Sequence, residues 1–149
     1  MRLVVQRVTY AECKIDGSIT GKIDKGYMIL VGFGLHDDEK TAAKMAEKLS
    51  KLRVFEDAEG KMNLSIFDVK GDILSISQFT LYADASKGNR PSFTDAARPL
   101  EAERLYRYFN EQLRKLNLKV EEGIFGADMK ISLLNDGPVT IILDSEELW

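Results

Sequence analysis

Short runs of β-branched and aromatic residues come in clusters along this chain, and only two stretches between them carry helical spacing. That order most constrains the fold. Leu3 to Tyr10 predicts a strand, Ala11 to Ile15 and Ile19 to Ile23 a hairpin about Asp16-Gly17, and Tyr27 to Phe33 a buried strand. A first helix is expected from Glu39 to Arg53, where Ala42, Met45, Ala46, Leu49 and Leu52 share one face. Val54-Phe55 is extended again, and Asp72 to Leu81 predicts the next strand. A second helix is expected from Pro99, with Ala102, Leu105, Tyr106, Phe109, Leu113 and Leu116 as its buried stripe. Lys119 to Phe125, Lys130 to Asn135 and Val139 to Asp144 predict the last strands. Strands grouped in this way, without βαβ alternation, predict an α+β fold. Its sheet is expected to be mainly antiparallel, barrel-like or layered, with two packed α-helices. The 149 residues suit one domain, 1–149.

Charge and rare residues exclude several classes. Lys+Arg 21 against Asp+Glu 24 leaves −3, so no global positive field supports a wrapping DNA binder, although a local patch for one RNA end is compatible with it. One Cys (Cys13) and one His (His36) exclude an intrachain disulfide, a multi-cysteine zinc site and a multi-histidine metal site. No metal and no cofactor are expected. Cys13 reads as a small buried filler, and His36, just before the first helix, as a solvated cap-region residue. Gly17 to Lys22 is one residue short of a P-loop, and Gly32-Phe33-Gly34 lacks the third glycine of a dinucleotide fingerprint. The N-terminal residues lack the apolar core of a signal peptide, and no apolar run approaches the ~20 residues that span a bilayer, so a cytoplasmic protein with no membrane partner is expected. An enzyme with this inventory must work with backbone N–H groups, hydroxyls and the substrate's own groups.

Two segments stand out. Ser77-Gln78-Phe79-Thr80-Leu81-Tyr82-Ala83-Asp84 ends a strand with hydroxyls, an amide and free N–H groups, and the loop after it carries Lys87 and Arg90 beside Gly88, a pattern suited to phosphate. A polar strand end with a solvated loop is the plain alternative. Asn135-Asp136-Gly137-Pro138-Val139-Thr140 predicts a turn between two strands, with the Gly137–Pro138 bond a cis candidate and an ordinary hairpin connection the plain alternative.

Together the two segments resemble the signature of the D-aminoacyl-tRNA deacylase family. The resemblance runs the length of the chain, through Met1-Arg2-Leu3-Val4-Val5-Gln6-Arg7-Val8, Lys87-Gly88-Asn89-Arg90-Pro91-Ser92-Phe93 and Gly123-Ile124-Phe125-Gly126-Ala127-Asp128-Met129.

The resemblance implies hydrolysis of the ester between a D-amino acid, or mischarged glycine, and the terminal adenosine of tRNA, with L-aminoacyl esters spared. It implies a homodimer whose active site lies at the subunit interface, where Ser77, Gln78, Phe79 and Thr80 of one subunit face a cis Gly137-Pro138 of the other. The N–H groups around Phe79 and Thr80 then stabilise the oxyanion, and Gln78 orients the ester. The Thr80 hydroxyl acts as nucleophile or as positioning group; positioning is preferred because no adjacent base activates it. Rigid Gly137 and Pro138 carbonyls would exclude an L side chain. Arg7 matches a residue that supports this loop, the alternative being an outward-facing strand residue. Phe125 and Met129 are candidates to pack on the terminal adenine, with core packing the alternative, and Lys87 and Arg90 to bind tRNA. The main rival is a non-catalytic dimer that binds a nucleic-acid end. A hydrolase of other aminoacyl esters or of a nucleotide conjugate is the second.

Overall fold

A computed structural model describes residues 1–149. Its strands are β1 (Arg2–Ile15), β2 (Ser18–Ile23), β3 (Gly26–Gly32), β4 (Phe55–Glu56), β5 (Met62–Leu64), β6 (Asp72–Ser77), β7 (Val120–Glu122) and β8 (Lys130–Asp144). Its helices are α1 (Glu39–Ser50), α2 (Pro99–Lys115) and the short α3 (Ser145–Leu148). A 3-10 turn, Phe79–Tyr82, follows β6.

β1 is the hub of the sheet. β8 pairs with it antiparallel along its whole length, from Arg2–Asp144 to Lys14–Lys130. With that edge taken, β3 (opposite Arg2 to Val8) and β2 (opposite Ala11 to Ile15) share the other edge in succession. The predicted turn between β1 and β2 forms at Asp16-Gly17, with φ of 50° and 79°, the left-handed backbone that a two-residue hairpin loop demands. β3 pairs with β6 and β6 with β7. β7 comes round beside β2, so the sheet curls nearly into a barrel, while β8 keeps its outer edge unpaired.

The sheet departs from the antiparallel expectation: β3–β6 and β6–β7 are parallel. α1 lies in the connection from β3 to β6, and α2 in that from β6 to β7. Connections long enough to carry a helix return the chain to the starting end, and the strands they join pair parallel. Helical spacing locates these helices without revealing that each is a crossover. A third helix, α3, occupies the acidic Glu146-Glu147 end, where a solvated tail is the default reading of the residues; its Ser145 N–H donates to the Met1 carbonyl at 2.9 Å. No helix is long and apolar enough to cross a membrane.

The middle strands are covered on both faces. Tyr27, Ile29, Val31 and Ile73 pack with the helix stripes of Ala42, Met45, Leu49, Leu105 and Phe109. Met28, Leu74 and Ile76 join Val8, Ala11, Cys13 and Ile23 in a smaller cluster. Burial on two faces explains why β3 reads as an unbroken apolar run. Cys13 is fully buried in the second cluster.

The largest departure is at the end of the chain. The two strands expected on either side of Gly137-Pro138 are one strand, β8, which keeps one direction and one partner. Pairing jumps from Gln6–Thr140 to Val8–Asn135, so residues 136–139 stand out as a bulge opposite the single residue Arg7. Asp-Gly-Pro is a strong local turn signal, but β1 is long enough to template both halves of β8.

Candidate functional site

β6 is buried as far as Ile76, and its polar residues begin where it leaves the core. Ser77 and Gln78 are half-buried; Phe79 and Thr80 are exposed. The Gln78 N–H donates to the Val31 carbonyl at 2.8 Å, one more rung on β3. There the chain turns: the strand expected to reach Leu81 stops at Ser77, and the Leu81 N–H bonds back to Gln78 O at 3.4 Å. Phe79 and Thr80 are the first residues of the 3-10 turn, so their N–H groups have no acceptor within it. The turn sits directly on β3, where a Cβ on Gly32 would lie 2.9 Å from Gln78 O. Gln78 Nε2 donates to Thr80 Oγ1 at 2.6 Å. The threonine oxygen therefore accepts a bond, and its own proton is free to donate.

A cleft of about 570 Å³ opens here, lined by Ser77, Gln78, Phe79, Phe93, Phe125 and Met129 among others. Phe79 and Phe93 meet edge-on at 4.9 Å between centroids, and Phe125 lies 6.3 Å from the Tyr106 ring. Phe125 packs on the main core and Met129 on the smaller one, so both line the cleft and support it at once. Behind the cleft, Tyr106 Oη donates to the Ser75 carbonyl at 2.6 Å and ties α2 to β6. Burial pushes that phenol up to about 12, which keeps the donor protonated. Lys87 and Arg90 lie outside the cleft, on an exposed loop closed by paired Asp84 and Ser92 backbones at 2.8 and 2.9 Å. Arg98 lines the cleft instead, exposed at the start of α2. Its only sequence signal is a cation before the helix-opening Pro99. A second cleft of about 700 Å³, lined by Asp37, Tyr82 and Trp149 among others, holds none of the predicted site residues.

The bulge in β8 is held from two sides. Arg7 follows Leu3 and Val5 on the helix-facing side of β1 and is 6% exposed, so it points inward. Its Nε donates to Asp136 O at 2.9 Å and its Nη1 to Val54 O at 2.7 Å. The Gly137–Pro138 bond is cis, and Gly137 has φ +136°. A Cβ at Gly137 would lie 2.9 Å from Val139 Cγ2 and 3.0 Å from Arg7 Nη2, so only glycine fits. Across the bulge, Asn135 Oδ1 accepts the Val139 N–H at 2.8 Å, and Nδ2 donates to Thr140 Oγ1 at 3.0 Å. Sequence reasoning singled out the segment but gave Asn135 no part. Gly137 and Pro138 are exposed and do not line the 570 Å³ cleft, so within one chain the two segments do not meet. No three His, Cys, Asp or Glu side chains cluster as metal ligands would.

Residues 4–144 match the family model described as D-Tyr-tRNA(Tyr) deacylase. A D-aminoacyl-tRNA deacylase of Thermosipho melanesiensis is 53% identical over 150 residues, covering 100% of both chains. One of Bacillus cereus is 57% identical over 146 residues, covering 98% of this chain and 100% of that one. Among solved structures, the c-Myc DNA Unwinding Element Binding Protein superposes with a TM-score of 0.91 at 43% identity, covering 97% of this chain and 98% of that one. A probable eukaryotic D-amino acid tRNA deacylase shares the fold, with a TM-score of 0.83 at 16% identity over 95% of this chain and 97% of that one.

Proposed function

Because the chain belongs to the D-Tyr-tRNA(Tyr) deacylase family, we propose that its 149 residues act as a single cytoplasmic deacylase domain that removes D-amino acids and glycine from the 3′ end of tRNA. The observation that carries this reading is the pair of unpartnered N–H groups at Phe79 and Thr80 beside a largely apolar cleft. An ester needs only a placed water and stabilisation of the charge that develops on its carbonyl oxygen. The two N–H groups receive that charge. Gln78 orients the aminoacyl group, and Ser77 completes the polar rim. Thr80 positions the ester without attacking it: its oxygen already accepts from Gln78, and no basic side chain hydrogen-bonds to it. The neighbouring 2′-hydroxyl of the terminal ribose assists the attacking water. Phe125 and Met129 pack on the terminal adenine, and Lys87 and Arg90 meet backbone phosphates.

Selectivity comes from exclusion. The chain acts as a homodimer in which Gly137 and Pro138 of one subunit cap the cleft of the other. Their exposure on a strand with a free edge, together with exposed Leu134 and Ile142 on that strand, supports such a contact. A wall of backbone carbonyls leaves no room for an L side chain, passes a D residue whose side chain points away, and passes glycine, which has nothing to clash.

Three substrates test this: tRNA charged with a D-amino acid, with its L mirror image, and with glycine. Fast loss of the D and glycyl esters with a spared L ester is the expected result. Equal loss of D and L overturns the filter. The structural likeness to a DNA unwinding element binding protein favours a second reading, a dimer that binds a nucleic-acid end without cleaving anything. The net charge of −3 weighs against broad nucleic-acid affinity. No loss of any ester, with tight binding of the nucleic acid, is the outcome that reading requires.

A further inference from the structure

We propose that Asn135 is the positioning residue that holds the Gly137–Pro138 backbone at the height needed to separate D from L substrates. This rests on the exclusion reading above and adds the device that keeps the wall rigid. Residues 136–139 have no ladder partner, because β1 offers only Arg7 opposite them. A four-residue excursion at a sheet edge, open to solvent, has no reason to keep one shape. Arg7 fixes its first half through Asp136 O. From β1 only Gln6 comes near its second half, with Nε2 at 3.5 Å from Thr140 Oγ1 just past the bulge, and at Val139 the Asn135 amide stands in for the missing strand. It accepts the Val139 N–H at 2.8 Å and donates to Thr140 Oγ1 at 3.0 Å and to Val139 O at 3.3 Å. Both kinds of bond need an amide: a carboxylate keeps the acceptor and loses the donor, and a methyl loses both. Asn135 thus clamps the two ends of the bulge together, and Gly137 and Pro138 ride on the clamp.

The experiment compares wild type, Asn135→Ala and Asn135→Asp on tRNA charged with D-tyrosine and with L-tyrosine, and follows hydrogen exchange of the Val139 amide by NMR. Asn135→Ala is expected to lower the D-to-L rate ratio about tenfold, the weight of a lost hydrogen bond, and to remove protection of the Val139 amide. Asn135→Asp is expected to keep that protection and to fall between the other two in ratio. It also carries the test if the alanine variant fails to fold. An unchanged ratio once the Val139 amide is freed overturns the proposal, as does an equal fall of both rates. Unchanged Val139 exchange in Asn135→Ala overturns the clamp itself. A wild type that hydrolyses D and L esters equally overturns the exclusion reading instead, and is told apart because the exchange measurement does not depend on activity.

Discussion

The free N–H groups at the end of β6 belong to the main chain, whereas the bulge of β8 is held by side chains. β6 lies mid-sheet, paired on both edges and covered on both faces, so its last rung at Gln78 fixes where the Phe79 and Thr80 N–H groups point. Side-chain changes there leave the donors in place. β8 is an edge strand, and its bulge has lost even its one ladder. Shape must come from the buried Arg7 guanidinium on one side and the Asn135 amide on the other. A central strand supplies rigidity without side chains; an edge has to be given it. The prediction is that substitutions in the two places fail differently.

Arg7→Ala carries the largest effect. It removes a charged donor from two carbonyls and leaves a buried hollow between β1 and Val54. A loss of about 3 kcal/mol is expected in urea unfolding, with L-aminoacyl-tRNA becoming a substrate in the fraction that stays folded. A loss under about 0.5 kcal/mol, the range of ordinary surface changes, would break the comparison at its root. Gly137→Ala comes next. At φ +136°, with Arg7 Nη2 and Val139 Cγ2 in the way, a methyl group is expected to cost about 2 kcal/mol and to displace the Gly137-Pro138 backbone. Gly88→Ala is the control, because its φ is also positive but nothing lies within 4 Å. An equal loss in both would mean that the backbone alone, and not the props, decides.

Thr80→Ala sharpens the other side. The donors are backbone groups, so the rate on a D-aminoacyl-tRNA should fall less than about tenfold, far short of the ~10²–10⁴-fold lost with a catalytic acid or base. A trapped acyl-Thr80 ester would show a nucleophile instead. The smallest effect tests the regular end of the β1–β8 ladder. There Arg2 Nε meets Asp144 Oδ2 at 2.8 Å. Burial resists ionisation of Asp144, but the Arg2 bond and the Glu146 N–H outweigh it and hold the carboxyl below its ordinary value. A carboxyl depressed on folding stabilises above its unfolded value, near pH ~4, and that stability is lost as pH falls through the folded value. Wild type and Asp144→Asn should therefore differ at pH 6, by under about 1 kcal/mol for a partly exposed pair, and the gap should narrow as the pH falls below about 4. A gap that does not narrow as the pH falls would assign the effect to packing.

Much of this was legible from residue order, because much of it is local. The Asp16-Gly17 turn, the helix stripes, the doubly covered β3 run and the polar close of β6 depend on neighbours within a few positions, where periodicity and turn chemistry speak directly. Ser77 to Thr80 could be singled out as a polar strand end for the same reason. Arg7 was open to two readings, since alternation says which face a residue takes but not which face is inside. Asn135 was silent, because its partners exist only once residues 136–139 are squeezed out of register.

Sequence alone therefore determined most of the elements, the buried helix stripes and the polar segments at the end of β6 and around Gly137-Pro138, all set by interactions within a turn or two of chain. Tertiary structure decided the parallel pairing of β3, β6 and β7, the continuity of β8 through Asp136-Gly137-Pro138, and the inward turn of Arg7. Those features depend on which distant strand lies alongside, and a strand partner is chosen by the burial of the whole sheet rather than by the residues it joins.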